Sequence, residues 1–464
     1  MKLWKEWWRW ASPLRTACGR SRTFLWMVVV LMGFSVREDL LGVTSIVRSL
    51  GLKEACYDRL LDFFHSPALN LEALTRIWAA LVLDLHPGLL RCNGRVVLVG
   101  DGIKVGKSGK KMPAVKRLHQ ESGTNGKPPY IMGHSCQAVS VLARGLQSVA
   151  AIPLAARIHE GLVFSNRDKR TLLDKMIQLL VSLDLNTPFY FVADAYYASR
   201  KVAAPLLRKG NHLVTRVRNN AVAYLAPPPP EPRKRGRRRT YGQKVALKSL
   251  FDQAMQTMDS PVYGERSVQI RFRALDLLWR PMGVMVRFVA VEHPTRGRCI
   301  LMTTDLQLDP ADILRLYGYR FKIELTFKRS LHVLGAFLYH FWMATMTHIG
   351  RKTGNQHLHR KSDGYRHAVR RKMDAYHRFM QLGLISQGIM LALATTVPQL
   401  VWRSFGSWLR TIRPGVCPSE FVVASALRSN LPDFLADEAI APELVKFLRE
   451  RLDMARTQAI RLAA

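Results

Sequence analysis

Val96-Val-Leu-Val-Gly-Asp101 is an unbroken apolar run that stops at a carboxylate, and Phe189-Tyr-Phe-Val-Ala-Asp194 repeats the arrangement further along the chain. Short apolar runs rich in β-branched and aromatic residues read as buried strands. A lone carboxylate at the end of each makes little structural sense, because burying a charge is costly unless it is paired. A third acid, Glu324, sits inside the cationic helix pattern Tyr317-Gly-Tyr-Arg-Phe-Lys-Ile-Glu324. Two strand-end aspartates and one helix-borne glutamate predict a metal-dependent phosphoryl-transfer site that works on a polyanion.

Outward from Asp101, Val96 to Val99, Gln137 to Leu142 and Ser148 to Ile158 read as three strands. A helix pattern from Lys169 to Leu183 leads into the strand that ends at Asp194. Ser199 to Arg208 then reads as a helix and His212 to Val217 as a strand. This βββαβαβ order predicts an α/β fold with a ribonuclease-H-like catalytic core, a mixed sheet flanked by helices. Residues 1–92 carry helical spacing broken at Ser66-Pro67 and His86-Pro87, and are expected to form a helical, DNA-binding N-terminal domain. The core's first part covers 93–220, and a β-rich insertion with a polybasic loop covers 221–299. The core resumes over 300–395 with the Glu324 helix and a basic helical extension, and 396–464 forms a helical C-terminal region. The Glu324 helix starts at Asp309-Pro310, an N-cap followed by a first-turn proline, and runs to Leu334 before Gly335.

Composition names the partner. Seventy Lys plus Arg stand against 34 Asp plus Glu, a net charge of +36 that self-repels unless a counter-charge binds, and nucleic acid supplies one. A hydrophobic share of 48% excludes a disordered basic tail. The polybasic stretch Pro227-Pro-Pro-Pro-Glu-Pro-Arg-Lys-Arg-Gly-Arg-Arg-Arg239, with Arg237 and Arg238 near its end, reads as a phosphate-backbone contact. The six cysteines lack zinc spacing and read as reduced, mostly buried thiols. Phe24 to Gly33 is too short to span a bilayer and reads as a buried core helix rather than a targeting segment, so no membrane is expected. The tryptophan-rich start, Met1 to Trp10, reads as a frayed helix that touches DNA or packs on the body. His340, His348, His357, His359, His367 and His377 lie among Arg and Lys and read as a basic DNA-facing surface, not a zinc site.

On the Glu324 helix, Arg320, Glu324 and Lys328 share one face at i, i+4, i+8 spacing, with Leu331 a nearly full turn on. Tyr317-x-x-Arg320-x-x-x-Glu324 resembles the C-terminal signature of bacterial insertion-sequence transposases of the Asp-Asp-Glu superfamily, in the cut-and-paste group called insertion sequence family four. Asp101 in Val-Gly-Asp-Gly-Ile-Lys-Val, followed by Lys111 to Ser122, resembles that superfamily's first-aspartate region. Asp194 in Phe-Val-Ala-Asp-Ala-Tyr-Tyr resembles its second. The likeness covers residues 95 to 335. It departs at Leu331, where the signature has a lysine; Lys328, Arg329 or His332 is near enough to have taken over that role.

What the resemblance implies is a DNA transposase that nicks each transposon end, forms and opens a hairpin, and joins the end to target DNA. Asp101, Asp194 and Glu324 would be catalytic and would hold two Mg²⁺ ions, with Mn²⁺ able to substitute. Tyr317, Arg320 and Lys328 would hold DNA phosphates, and Trp279 would receive a flipped base. The implied partners are transposon-end and target DNA and a second copy of the chain on paired ends, in the bacterial cytoplasm on the nucleoid. Two further readings stand beside this one: a catalytically silent DNA-binding relative, favoured by Leu331, and a nuclease of the same fold that cuts without rejoining. Glu121, Asp168, Asp174, Glu292 and Asp305 are the alternative carboxylates.

Overall fold

The apolar run before Asp101 forms strand β1, Arg95–Gly106, with Val96, Val97, Leu98 and Val99 all buried. This computed structural model describes residues 2–120, 128–229, 239–262, 264–265, 267–406, 412–437 and 439–455. β2, Tyr130–Gly145, pairs with β1 antiparallel, and β3, Ser148–Ile158, pairs with β2 antiparallel through a bulge at Val139/Ser140. Helix α6, Leu172–Ser182, crosses to β4, Phe189–Ala193, and helix α7, Arg200–Arg208, crosses to β5, His212–Val217. β4 lies parallel to β1 on one side and to β5 on the other. The order across the sheet is therefore β3-β2-β1-β4-β5. The expected βββαβαβ order is present, and the aspartate-bearing strands are neighbours. Their near-continuous hydrophobic sequences fit strands covered on both faces.

Strands from the 221–299 region do not form a sheet of their own. β6, Gln269–Trp279, β7, Val284–His293, and β8, Gly297–Thr303, make an antiparallel meander, and β8 pairs antiparallel with β5. One mixed sheet thus runs from the meander through both aspartate strands.

Helices α1, Lys2–Ala11, α2, Ser21–Val36, α3, Gly42–Ser49, α4, Cys56–His65, and α5, Leu71–Leu85, precede the sheet, with the breaks where Pro67 and Pro87 put them. α1 packs on the body. Its tryptophans at i, i+3 spacing, Trp4, Trp7 and Trp10, are buried, and the Trp4 and Trp7 indoles donate to Leu427 O at 3.0 Å and Ser35 Oγ at 3.1 Å. α2 is the expected core helix, buried from Trp26 to Val36.

After the sheet come α8, Pro310–Gly318, a short tight turn Tyr319–Phe321, and α9, Lys322–Arg329, which widens at Ser330–Leu334 and stops at Gly335. Asp309 caps the start by accepting from Ala311 N at 2.8 Å, and Gly335 adopts the left-handed φ of +65° that closes helices. α10, Asp363–Thr396, is long and apolar enough to cross a membrane, yet 89% of its apolar window is buried inside the protein. Gln381 on it donates to Leu154 O on β3 at 2.8 Å and accepts from Arg157 at 3.0 Å. α11, Glu420–Ser429, packs against α2 and α10. Among the described residues all six cysteines are free thiols, three buried and three half-buried.

Candidate active site

Asp101 stands on β1 directly after Gly100, and the glycine is needed. A Cβ there would meet the Phe191 ring of β4 at 2.4 Å, so only glycine lets β1 and β4 pair this closely. The parallel register sets Val99 opposite Val192. Two residues further along each chain, Asp101 and Asp194 reach the same level. Asp194 leaves the sheet at the end of β4 and caps the turn Ala195–Tyr197, accepting from Tyr196 N at 3.0 Å. Thr215 of β5 pins the backbone there by donating to Asp194 O at 2.7 Å.

Glu324 comes from the first turn of α9, and Arg320 from the tight turn just before it. The helix is held to the sheet by Ile323 and Phe327, both buried, and by Thr326, whose hydroxyl donates to Ala151 O of β3 at 2.8 Å. Arg320 joins two of the three acids. Its Nη1 donates to Asp101 Oδ2 at 2.9 Å and its Nη2 to Glu324 Oε1 at 2.6 Å.

Burial is the largest influence on Asp101, whose carboxyl is pushed up to about 6. Arg320 and the Gly102 N–H, which donates to it at 2.7 Å, pull the other way, while the charges of Asp194 and Glu324 push with burial. The like-charge repulsion registers that the three acids lie near one another. Beneath them Tyr197 is buried, and burial followed by the Asp101 charge raises its phenol. Its oxygen accepts from Gln137 Nε2 at 2.9 Å, and Gln137 Oε1 pairs with His159 Nδ1 at 2.6 Å. The imidazole of His159 is pushed down to about 3, first by burial and then by the nearby Lys175, and is therefore neutral.

Beside Asp194 opens a cleft of 580 Å³ lined by Arg216, Arg218, Asn219, Tyr317 and Arg320. Arg216 and Arg218 are exposed although Thr215 and Val217 between and beside them are buried. Sequence reasoning missed both arginines, along with Gln137 and Tyr197. The alternation of cation and apolar residue at the end of β5 was the available signal.

The other expected site residues are dispersed. Tyr317 is half-buried on the cleft wall, its phenol raised chiefly by burial. Lys328 is exposed one turn beyond Glu324. Leu331 is half-buried against the core, His332 is exposed, and Arg329 donates to Glu420 at 2.6 Å. Trp279 is buried at the end of β6, with three strands between it and β4. Arg237, Arg238 and Glu121 lie outside the described residues. Among the alternative carboxylates, Asp305 accepts from the Tyr190 hydroxyl at 2.5 Å, Asp168 pairs with Arg170, Asp174 with Lys201, and Glu292 with Arg298. All four have partners other than Asp101, Asp194, Glu324 and Arg320 in these pairings.

Hard carboxylate oxygens are the donors that Mg²⁺ takes, and Asp101, Asp194 and Glu324 supply them. As the side chains stand, no three His, Cys, Asp or Glu among the described residues form a group able to hold one ion. The Arg320 guanidinium occupies the space between the Asp101 and Glu324 carboxylates. An ion held between these acids would compete with Arg320 for Asp101 Oδ2 and Glu324 Oε1.

No curated protein matches this chain. A solved structure of a piggyBac transposase synaptic complex with hairpin DNA aligns over 97% of this chain and 82% of its own, at 10% identity and a TM-score of 0.32, too loose a likeness to argue from. The family described as DDE superfamily endonuclease matches residues 14–274, more than half of the chain, a span that takes in Asp101 and Asp194 and ends before Glu324. The chain belongs to the DDE superfamily endonuclease family.

Proposed function

We propose that this endonuclease-family chain is a DNA transposase that cleaves and joins phosphodiesters at Asp101, Asp194 and Glu324. The observation that carries the reading is Arg320, which hydrogen-bonds to Asp101 from the sheet and Glu324 from the helix and so joins the first acid to the third. The strand order β3-β2-β1-β4-β5, with two antiparallel and two parallel pairings, supports a ribonuclease-H-like core. The cleft with three arginines beside Asp194 supports a phosphate-bearing substrate.

The three carboxylates would hold divalent ions, Mg²⁺ or Mn²⁺ in its place. Bound ions of this kind supply a Lewis acid for the phosphate oxygens and lower the pKa of attacking water. The chain's own residues supply the rest. Arg216, Arg218 and Arg320 bind the strand through phosphates, Tyr317 walls the cleft, and Tyr197 with Gln137 fixes the floor under Asp101. A phosphate entering the cleft competes for Arg320 and loosens it from the carboxylates. Cut-and-paste through hairpins, with two copies of the chain pairing two DNA ends, completes the proposal.

Incubation with Mg²⁺ and duplex DNA carrying the inverted repeats that flank the coding region tests it. Hairpins and strand-transfer products are expected from the native chain. Asp101→Ala is expected to slow cleavage by about a thousandfold or more, roughly 4 kcal/mol of barrier, with salt-sensitive binding intact. Normal cutting by that variant would sink the assignment of the site. Nicks without joining indicate a nuclease, and DNA bound but never cut indicates a silent binder.

A further inference from the structure

Two segments leave the acid centre, one along β1 after Asp101 and one along the chain after the Glu324 helix. Residues 102–120 contain six Lys or Arg and no Asp or Glu, and residues 325–362 likewise contain six Lys or Arg and no acid. The structure clasps these segments together. Lys107 Nζ donates to Phe337 O and Tyr339 O, Met343 N donates to Lys111 O at 3.0 Å, Ile349 N to Lys110 O at 2.8 Å, and Arg117 N to Thr353 O at 2.8 Å. Lys111 Nζ adds a bond to Ala344 O at 3.0 Å. On Lys116 the positive charge is offset by Glu160 at 3.3 Å.

In the middle of this clasp stands Trp342, 64% exposed. Its position is held from both sides. Phe341 and Met343 are buried, the Phe341 carbonyl accepts from the Tyr376 hydroxyl at 2.6 Å, and the Met343 N–H is tied to Lys111. A Cβ on Gly109 would lie 3.1 Å from Trp342 Nε1, so the indole edge rests on the Gly109 backbone. Tyr130, an exposed aromatic at the start of β2, already carries the Arg117 guanidinium of the clasp at 3.7 Å. Among the described residues no ring or cation is stacked on Trp342.

A large apolar ring in water costs free energy unless something covers it, and here every flanking charge within the two segments is positive. We infer that Trp342 is a stacking platform for an unpaired base of a DNA strand whose phosphates are held by the surrounding lysines and arginines. Base stacking on an aromatic within a cationic groove is the standard physics of single-strand binding. From Asp101 to Gly106 the strand β1 covers on the order of 16 Å, and Gly109, on which the indole rests, follows three residues later. This inference rests on the proposed DNA-acting function and names a place on the chain that grips unpaired DNA.

Binding of full-length protein to two fluorescent DNAs of equal length, one fully paired and one with an unpaired segment, tests it across a salt series. Trp342→Ala is expected to weaken the partly unpaired DNA roughly tenfold, to leave the fully paired DNA within twofold, and to leave the salt slope unchanged because no charge is removed. Trp342→Phe is expected to recover most of the loss. Unchanged thermal melting of both variants shows that an exposed side chain was removed without unfolding. Equal losses on both DNAs, or none on either, overturn the platform while leaving the catalytic reading standing. Failure of the native chain to bind either DNA overturns both.

Discussion

Two arginine–glutamate pairs flank the same helix with the same bond length and opposite surroundings. Arg320 and Glu324 meet at 2.6 Å at the start of α9, and Arg329 and Glu420 meet at 2.6 Å at its end. The Glu324 side chain is 53% exposed, whereas that of Glu420 is 1% exposed. Burial pushes the Glu420 carboxyl up, Arg329 holds it down, and Gln387, whose amide also donates to Thr326 O at 3.1 Å, steadies it from α10. The first pair can exchange its cation for another because water and ligands reach it. The second cannot, so it anchors the helix.

Breaking the buried pair is the most damaging change to stability. Glu420→Ala is expected to cost about 3 kcal/mol, the lower end for a broken buried pair, since Arg329 still reaches solvent. Urea unfolding checks this, and a loss under about 1 kcal/mol would show the anchor to be unnecessary.

Next comes Asp101, whose raised pKa has a definite sign. A carboxyl with a folded value near 6 and an ordinary unfolded value binds its proton more tightly in the native state, so native stability falls as pH rises from about 4 to 6. Asp101→Asn removes that fall. Relative to the native chain the variant should gain stability over this window, by at most roughly 2.7 kcal/mol for two pKa units. Thermal melts at pH 4 and pH 7 measure the gap, and a gap that does not grow with pH contradicts the buried, crowded carboxyl.

Smallest of all should be the stability effect of Glu324→Gln, below about 1 kcal/mol as for other exposed pairs. The same substitution should cost at least about a hundredfold in cleavage, close to 3 kcal/mol of barrier. A variant that melts early but still cuts would reverse the roles assigned to the two pairs.

The acids that close the apolar runs of β1 and β4 and the caps at Asp309 and Gly335 could be read from local pattern, because apolar runs and capping residues act over a few neighbours, whereas the continuation of β1 past Asp101 to Gly106 comes from its pairing with β2. Gln137 and Tyr197 could not, since their importance comes from a strand and a turn that the sheet brings together. Glu420 lies far along the chain from Arg329, and no local rule joins them. Trp279, the base-flip candidate that the resemblance implied, ends a hairpin strand and is buried there. Trp342, in a stretch without regular secondary structure, is the exposed tryptophan among the described residues.

The pairing of β8 with β5 has a consequence for any attempt to trim the protein. β5 has β4 on one side and β8 on the other. Excising the meander would leave the chain that pins Asp194 with a row of unsatisfied N–H and C=O groups, open to any strand in solution. A shortened version is thus expected to associate through that raw border before it shows any defect in chemistry, and size-exclusion chromatography would see it first.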